Sequence, residues 1–233
     1  MFTRILTSGL LAGAGAGLIA ALLQLYFVQP VLLHAELYEA GALAHFGADP
    51  KPSAHQDTGG IEAVRDGLSI FFTMLIYSGY ALVLVALMSL AQQRGASIDA
   101  RRGLVWGIAG FVAVHLAPGF GLPPEVPGSA SADLTARQIW WFATAFAAGL
   151  AIWLIAFART WLGWGVAVAL LLTPHAVGAP HPDVFTGSAP TELGALFAAR
   201  AYGVGLAAWV MTGGLAGYFW SRAAPASGRV ESA

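Results

Sequence analysis

Six histidines and twelve carboxylates are the side chains of this 233-residue sequence best suited to hold a metal ion, because it contains no cysteine. Without thiolate there is no disulfide framework and no thiol nucleophile, so a bound metal would be held by imidazole, carboxylate or carbonyl. Imidazole nitrogen suits divalent transition ions, and carboxylate oxygen adds harder ligands. His115, His175 and His181 with Glu125 and Asp183 form the first candidate set. His34, Glu36 and Glu39 extend it, since Glu36 and Glu39 are three residues apart and share a helix face if the first helix continues through them. No HExxH or close His-x3-His motif occurs, so the ligands would have to come from separate segments. A lone histidine at a membrane boundary is more often interfacial than ligating. His115 and His175 lie nearest the apolar stretches and are favoured for that reason. His45 and His55, in a loop rich in Gly, Pro, Ser and charge, read as solvated.

The elements that position these residues are membrane helices. The chain is 58% hydrophobic and 10% charged, against roughly 25% charged in an ordinary soluble domain. The net charge of -1 and the absence of a basic cluster give no electrostatic reason to expect a nucleic-acid partner, and that class is set aside. A helix needs about 20 apolar residues to cross the hydrocarbon core. Six stretches approach that length: Ile5 to Leu33, Leu68 to Ala91, Gly103 to Phe120, Ile139 to Phe157, Trp161 to Val177 and Leu193 to Trp220. The expected fold is an all-α polytopic bundle of about six spans, one transmembrane domain over residues 1–220 with an outer loop at 34–66 and a short tail at 221–233. The first stretch is too long for a cleavable signal peptide and reads as a retained helix. Its Gly9, Gly13 and Gly17 recur every four residues, which lets another helix approach closely.

Basic residues favour the cytoplasmic side of short loops. With the N-terminus inside, Arg4, Arg94, Arg101, Arg102, Arg159, Arg222 and Arg229 are all inside. Ten carboxylates then face outward, Asp99 and Glu231 being the exceptions, and all six histidines join them. Acids drifting away from arginine would account for the charge bias, but less readily for the histidines.

Leu104-Val105-Trp106-Gly107 and Leu162-Gly163-Trp164-Gly165 are 58 residues apart, and the same offset aligns Pro124-Glu125-Val126 with Pro182-Asp183-Val184. Three related helical hairpins would explain this, and transporters are often built from repeats. Chance matches in a chain rich in Ala, Gly and Leu would explain it equally well. Prolines crowd the far ends of the third and fifth spans, at Pro118, Pro123, Pro124 and Pro127 and at Pro174, Pro180 and Pro182. Such density predicts broken helices lining a wet cavity, or else structured caps. Arg137-Gln138-Ile139-Trp140-Trp141 reads first as an interfacial anchor, with the indoles at headgroup level. Arg65, Arg137 and Arg200 would otherwise pair with carboxylates on the same side.

Several segments together resemble one family, the CbtA family of predicted cobalt transporter subunits. They are Gln29-Pro30, Ala35-Glu36-Leu37-Tyr38-Glu39, the run from Gly121 to Gly128, Arg137 to Trp141, and Gly178-Ala179-Pro180-His181-Pro182. The resemblance implies a polytopic subunit of cobalt uptake in the bacterial inner membrane, working beside a small single-span histidine-containing CbtB-like partner. The family description counts five spans where the charge pattern gives six, the difference falling on Trp161 to Val177. The residues alone do not separate cobalt from nickel or zinc.

The expected function is therefore a permease subunit, not an enzyme, that takes up a divalent metal from outside with both termini cytoplasmic. Apart from the transported ion it requires no cofactor. No P-loop is present, so energy would come from a gradient or another subunit. A membrane enzyme using outward-facing His and carboxylate residues is one alternative, and a structural subunit of a larger membrane complex is another.

Overall fold

The computed structural model describes residues 1–47, 50–51, 53 and 60–223. His55, Asp57 and the tail beyond residue 223 lie outside these. Six helical rods follow one another, and among the described residues the only β-type pairings are two isolated bridges. We label the rods α1 (Phe2–Glu39), α2 (Ala63–Gln93), α3 (residues 100–119), α4 (Leu134–Phe157), α5 (Trp161–Val177) and α6 (Thr191–Arg222). Helices α1, α2, α4 and α6 are long and apolar enough to cross a membrane. Helix α5 is apolar but has 17 residues. The chain is thus an all-helical membrane protein.

Two compact units emerge from the contacts within the chain: Met1–Leu22 with Val64–Ile108 and Ala207–Ala233, and Leu23–Ala63 with Ala109–Leu206.

In the first unit, helices meet through glycine. A Cβ on Gly13 would strike the backbone of Ser78, and one on Gly17 would sit 2.7 Å from the Met74 Cα. Gly9 lies similarly against Leu82. The contacts descend along α2 as they rise along α1, as in an antiparallel pair. The expected role of the Gly9, Gly13 and Gly17 stripe is thereby met: removing Cβ brings backbones close enough for dispersion and weak C–H contacts to hold helices together where lipid supplies no hydrophobic drive. Between α3 and α6 the same device recurs, with Gly103 on Gly213 and Gly107 on Trp209. Ala12, Ala81, Leu84, Val85, Met88, Ile98, Ala216 and Trp220 form the buried core there. The Trp220 indole donates to Gln92 Oε1 at 2.8 Å, and the Arg4 guanidinium lies 3.8 Å from its ring centroid while donating to its carbonyl.

In the second unit Pro30, Pro118 and Pro174 shape the helices without breaking them, whereas Pro123, Pro124, Pro127, Pro180 and Pro182 lie in the irregular chain beyond the helix ends. A proline in a helix lacks its N–H and collides with the carbonyl four residues back. Here the turn before it widens to a π-helix, over Gln24–Val28 ahead of Pro30 and over Val112–Leu116 ahead of Pro118. The residue just before each proline donates five residues back, Gln29 to the Gln24 carbonyl and Ala117 to that of Val112. The extra residue carries the offending carbonyl aside, and α1 runs on to Glu39 and α3 to Gly119. Pro174 sits inside α5, which continues to Val177 and stops at Gly178, whose φ of +89° favours glycine.

The 58-residue offset reappears in the helix bounds. Adding 58 to residues 100–119 gives 158–177, and α5 is Trp161–Val177. Adding 58 to Leu134, the start of α4, gives 192, and α6 starts at Thr191.

Candidate metal-handling site

The five described histidines, His34, His45, His115, His175 and His181, all belong to the second unit. Three lie beside the prolines of α1, α3 and α5. His34 follows Pro30 by one turn, His115 precedes Pro118, and His175 follows Pro174 directly.

His115 occupies the π-turn of α3 and is half-buried. Its ring stacks on Phe111 with centroids 5.8 Å apart and planes 20° off parallel. A Cβ on Gly205 of α6 would lie 3.3 Å from its Cδ2, so the imidazole fills the space that this glycine leaves. One turn further along α3, Gly119 makes room for the Tyr202 phenol, whose buried hydroxyl has no hydrogen-bond partner among the described residues. Phe111 also meets the Tyr202 ring edge-on at 6.5 Å.

His175 is held by aromatic edges, with Phe120 at 5.3 Å and Trp140 at 6.0 Å between centroids. Trp140 is buried at 8% exposure, and its indole donates to the Pro174 carbonyl at 3.2 Å. Trp140 is therefore a tertiary contact of α4 with α5 and not a headgroup anchor. Its apolar ring packs against Gly121 and His175, and its N–H finds an acceptor in the Pro174 carbonyl.

His34 lies on α1 with its ring 5.5 Å from Tyr38, and its buried Nε2 has no hydrogen-bond partner among the described residues. Glu36 and Glu39 lie on the same continuous helix and are exposed. Glu125 accepts from Arg137 at 2.9 Å. His181 is exposed, with Nδ1 3.2 Å from the Pro182 carbonyl, and Asp183 is exposed beside it. Among the described residues no three His, Asp or Glu side chains come together as a metal cage. The eight candidates are thus distributed along the proline-bearing ends and loops.

Two of the three arginines expected to pair with acids do so, Arg65 with Asp66 at 2.8 Å and Arg137 with Glu125. Arg200 instead donates to the Phe27 carbonyl at 3.0 Å, within the π-turn of α1. A widened turn leaves carbonyls poorly served by the helix, and a guanidinium can supply the missing donor. Sequence reasoning missed this pairing, and also Phe111 and Tyr202. A proline inside a long apolar run was the available signal for the π-turns; nothing local marked the aromatic partners.

No curated protein and no solved structure matches the chain. The family description "probable cobalt transporter subunit (CbtA)" matches residues 2–221, almost the whole length. A subunit implies a partner, and cobalt as the transported ion accords with the nitrogen and oxygen ligand stock. On this match, and on its helical architecture, the chain belongs to the CbtA family of probable cobalt transporter subunits.

Proposed function

We propose that the chain is the membrane-spanning permease subunit that takes up Co²⁺, passing it along the proline-bearing ends of α1, α3 and α5. The observation that carries this reading is the placement of His115 and His175, imidazoles half-buried on helices of a membrane protein and braced by Phe111 and by Phe120 with Trp140. Imidazole nitrogen is a good ligand for Co²⁺ and a poor one for Mg²⁺ or Ca²⁺. Conduction requires binding strong enough to admit an ion and weak enough to release it, commonly through several sites in series. Imidazoles spread singly along a path fit that requirement better than a closed three-ligand cage.

His181, Asp183, Glu36 and Glu39 would attract the hydrated cation at the mouth, with His34 and Glu125 beside the entry. The arginine-rich ends, with Arg4, Arg94, Arg101, Arg102 and Arg222, would face the cytoplasm, placing both termini there in the inner membrane. A small single-span CbtB-like subunit with its own histidines would complete the transporter. The family assignment speaks against the membrane-enzyme alternative.

The test is cell-associated cobalt with and without the chain, and with His115→Ala/His175→Ala at equal amounts in the membrane. The double variant is expected to lose most of the uptake. Wild-type accumulation by that variant would sink the assignment.

A further inference from the structure

The loops after α3 and α5 meet at positions that correspond under the 58-residue offset. Ser129 and Gly187, which is 129 + 58, form an antiparallel bridge, flanked by a hydrogen bond from the Ala130 N–H to the Thr186 carbonyl at 2.8 Å. A Cβ on Gly121 would lie 2.7 Å from the Cβ of Ala179, which is 121 + 58. Counterparts lie together only near the axis that relates two repeats, and their antiparallel course requires that axis to be a half-turn. The helices obey the same exchange. Helix α3 lies on α6 through His115 with Gly205 and Gly119 with Tyr202, while α5 lies on α4 through Pro174 and His175 with Trp140.

The two loops are anchored unequally. The first is fixed by Glu125 on Arg137, by Val126 packed among Val31, Ala35 and Phe197, and by Gly128 against Glu39, whereas the second is held at its far end alone, by Ser188 against Gly128 and by Ala189 on the same apolar cluster. In the second, the counterpart of Glu125 is Asp183, exposed and without an ion pair among the described residues. Val184 and Phe185 are also exposed. This loop leaves α5 through Gly178 at φ +89°, a backbone state in which glycine is unstrained.

We propose that these loops are a latch that closes this end of the second unit over His175, and that residues 178–187 swing between Gly178 and the anchored Ser188 and Ala189 to admit the cation. Phe120, at the head of the anchored loop, stands edge-on to His175, and Gly121 is pressed against both Trp140 and Ala179. A bridge between two loops is a small hold, suited to opening in each transport cycle. The latch rests on the transport reading above and adds a gate to it.

The sequence has no cysteine, so Ser129→Cys/Gly187→Cys places the only two thiols in the chain at the bridge. The flanking hydrogen bond marks Ser129 and Gly187 as a non-hydrogen-bonded antiparallel pair, for which Cα atoms stand about 4.5 Å apart. That spacing lies within disulfide range. A side chain at 187 has room, its nearest neighbours being the Gly128 carbonyl oxygen at 3.8 Å and the Ser129 Cα at 3.9 Å. In cells making the transporter, oxidation is expected to lower cobalt uptake by about tenfold or more, as gating motions of such loops predict. Reduction should restore it, and each single cysteine variant should transport as wild type does.

A cross-linked variant, verified by mass, that still takes up cobalt at the wild-type rate overturns the latch. Failure to cross-link in a variant that reaches the membrane overturns the contact itself. Ala130→Cys/Thr186→Cys, the adjacent pair, serves if the first variant does not reach the membrane. Absence of uptake by the wild-type chain would instead defeat the transport reading and the latch with it, whereas wild-type uptake with an active cross-linked form removes the latch alone.

Discussion

The Trp140 indole donates to the Pro174 carbonyl at 3.2 Å, and the Trp140 ring flanks His175, the residue that follows. One side chain of α4 thus supports the proline of α5 and braces the neighbouring imidazole. The Pro174 carbonyl also accepts from the Gly178 N–H at 3.1 Å and takes the indole donor on its second lone pair, and the bond contributes about 1 kcal/mol net. Trp140→Phe is expected to lower the unfolding midpoint of the detergent-solubilised protein by about 2–4 °C for each kcal/mol lost. It should also lower cobalt uptake by displacing His175. Trp141→Phe is the control and should leave uptake unchanged; equal behaviour of the two variants would contradict the bracing role.

Glu125 serves the fold through Arg137. Its pairing with Arg137 leaves both side chains about a third exposed, at 31% and 28%, so solvent screening limits its strength. A double-mutant cycle with Glu125→Gln and Arg137→Met should give a coupling of about 0.5–1 kcal/mol in thermal stability. Independent, additive effects of the two substitutions would show that the pair does not hold the first loop.

Gly107 and Gly165 occupy equivalent places in the repeated motif and should answer substitution oppositely. A Cβ at Gly107 would strike the carbonyl of Trp209, whereas nothing lies within 4 Å of one at Gly165. Gly107→Val should cost about 1–3 kcal/mol or more through forced separation of helices. Gly165→Ala should be neutral or slightly stabilising through its better helix propensity. Thermal unfolding monitored by size-exclusion chromatography distinguishes them, and a Gly107→Val protein as stable as wild type would refute the contact.

Competition should follow ligand type. With imidazole as the donor, Ni²⁺ is expected to compete with cobalt uptake, while Mg²⁺ and Ca²⁺ in excess should not. Strong inhibition by Ca²⁺ together with none by Ni²⁺ would indicate an oxygen-lined path and reject His115 and His175 as contact residues.

The repeat illustrates what was legible and what was not. The spacing of Trp106-Gly107 and Trp164-Gly165 announces two related segments, and the helix bounds follow the same offset. Yet Trp106 packs against the buried core of its unit while Trp164 is exposed. Identical dipeptides acquire different surroundings because a neighbouring helix is a property of the tertiary arrangement, not of the motif. Likewise the proline-dense segments marked where α3 and α5 end, with Pro123, Pro124, Pro127, Pro180 and Pro182 beyond the last turns, but local rules that count a missing N–H and a ring clash do not say that Pro118 stays inside its helix. They do not include the option of a widened turn, which keeps α3 continuous through the clash.

The sequence by itself determined the class of protein, the six helical rods, the glycine faces and the nitrogen and oxygen ligand stock, because hydropathy, Cβ removal and side-chain chemistry are local properties. Only the tertiary structure decided that His175 sits between Phe120 and Trp140, that Arg200 serves a carbonyl of α1 rather than a carboxylate, and that Ser129 lies against its own counterpart Gly187. Each of these joins residues at least 35 positions apart, and such pairs are set by which helices pack together.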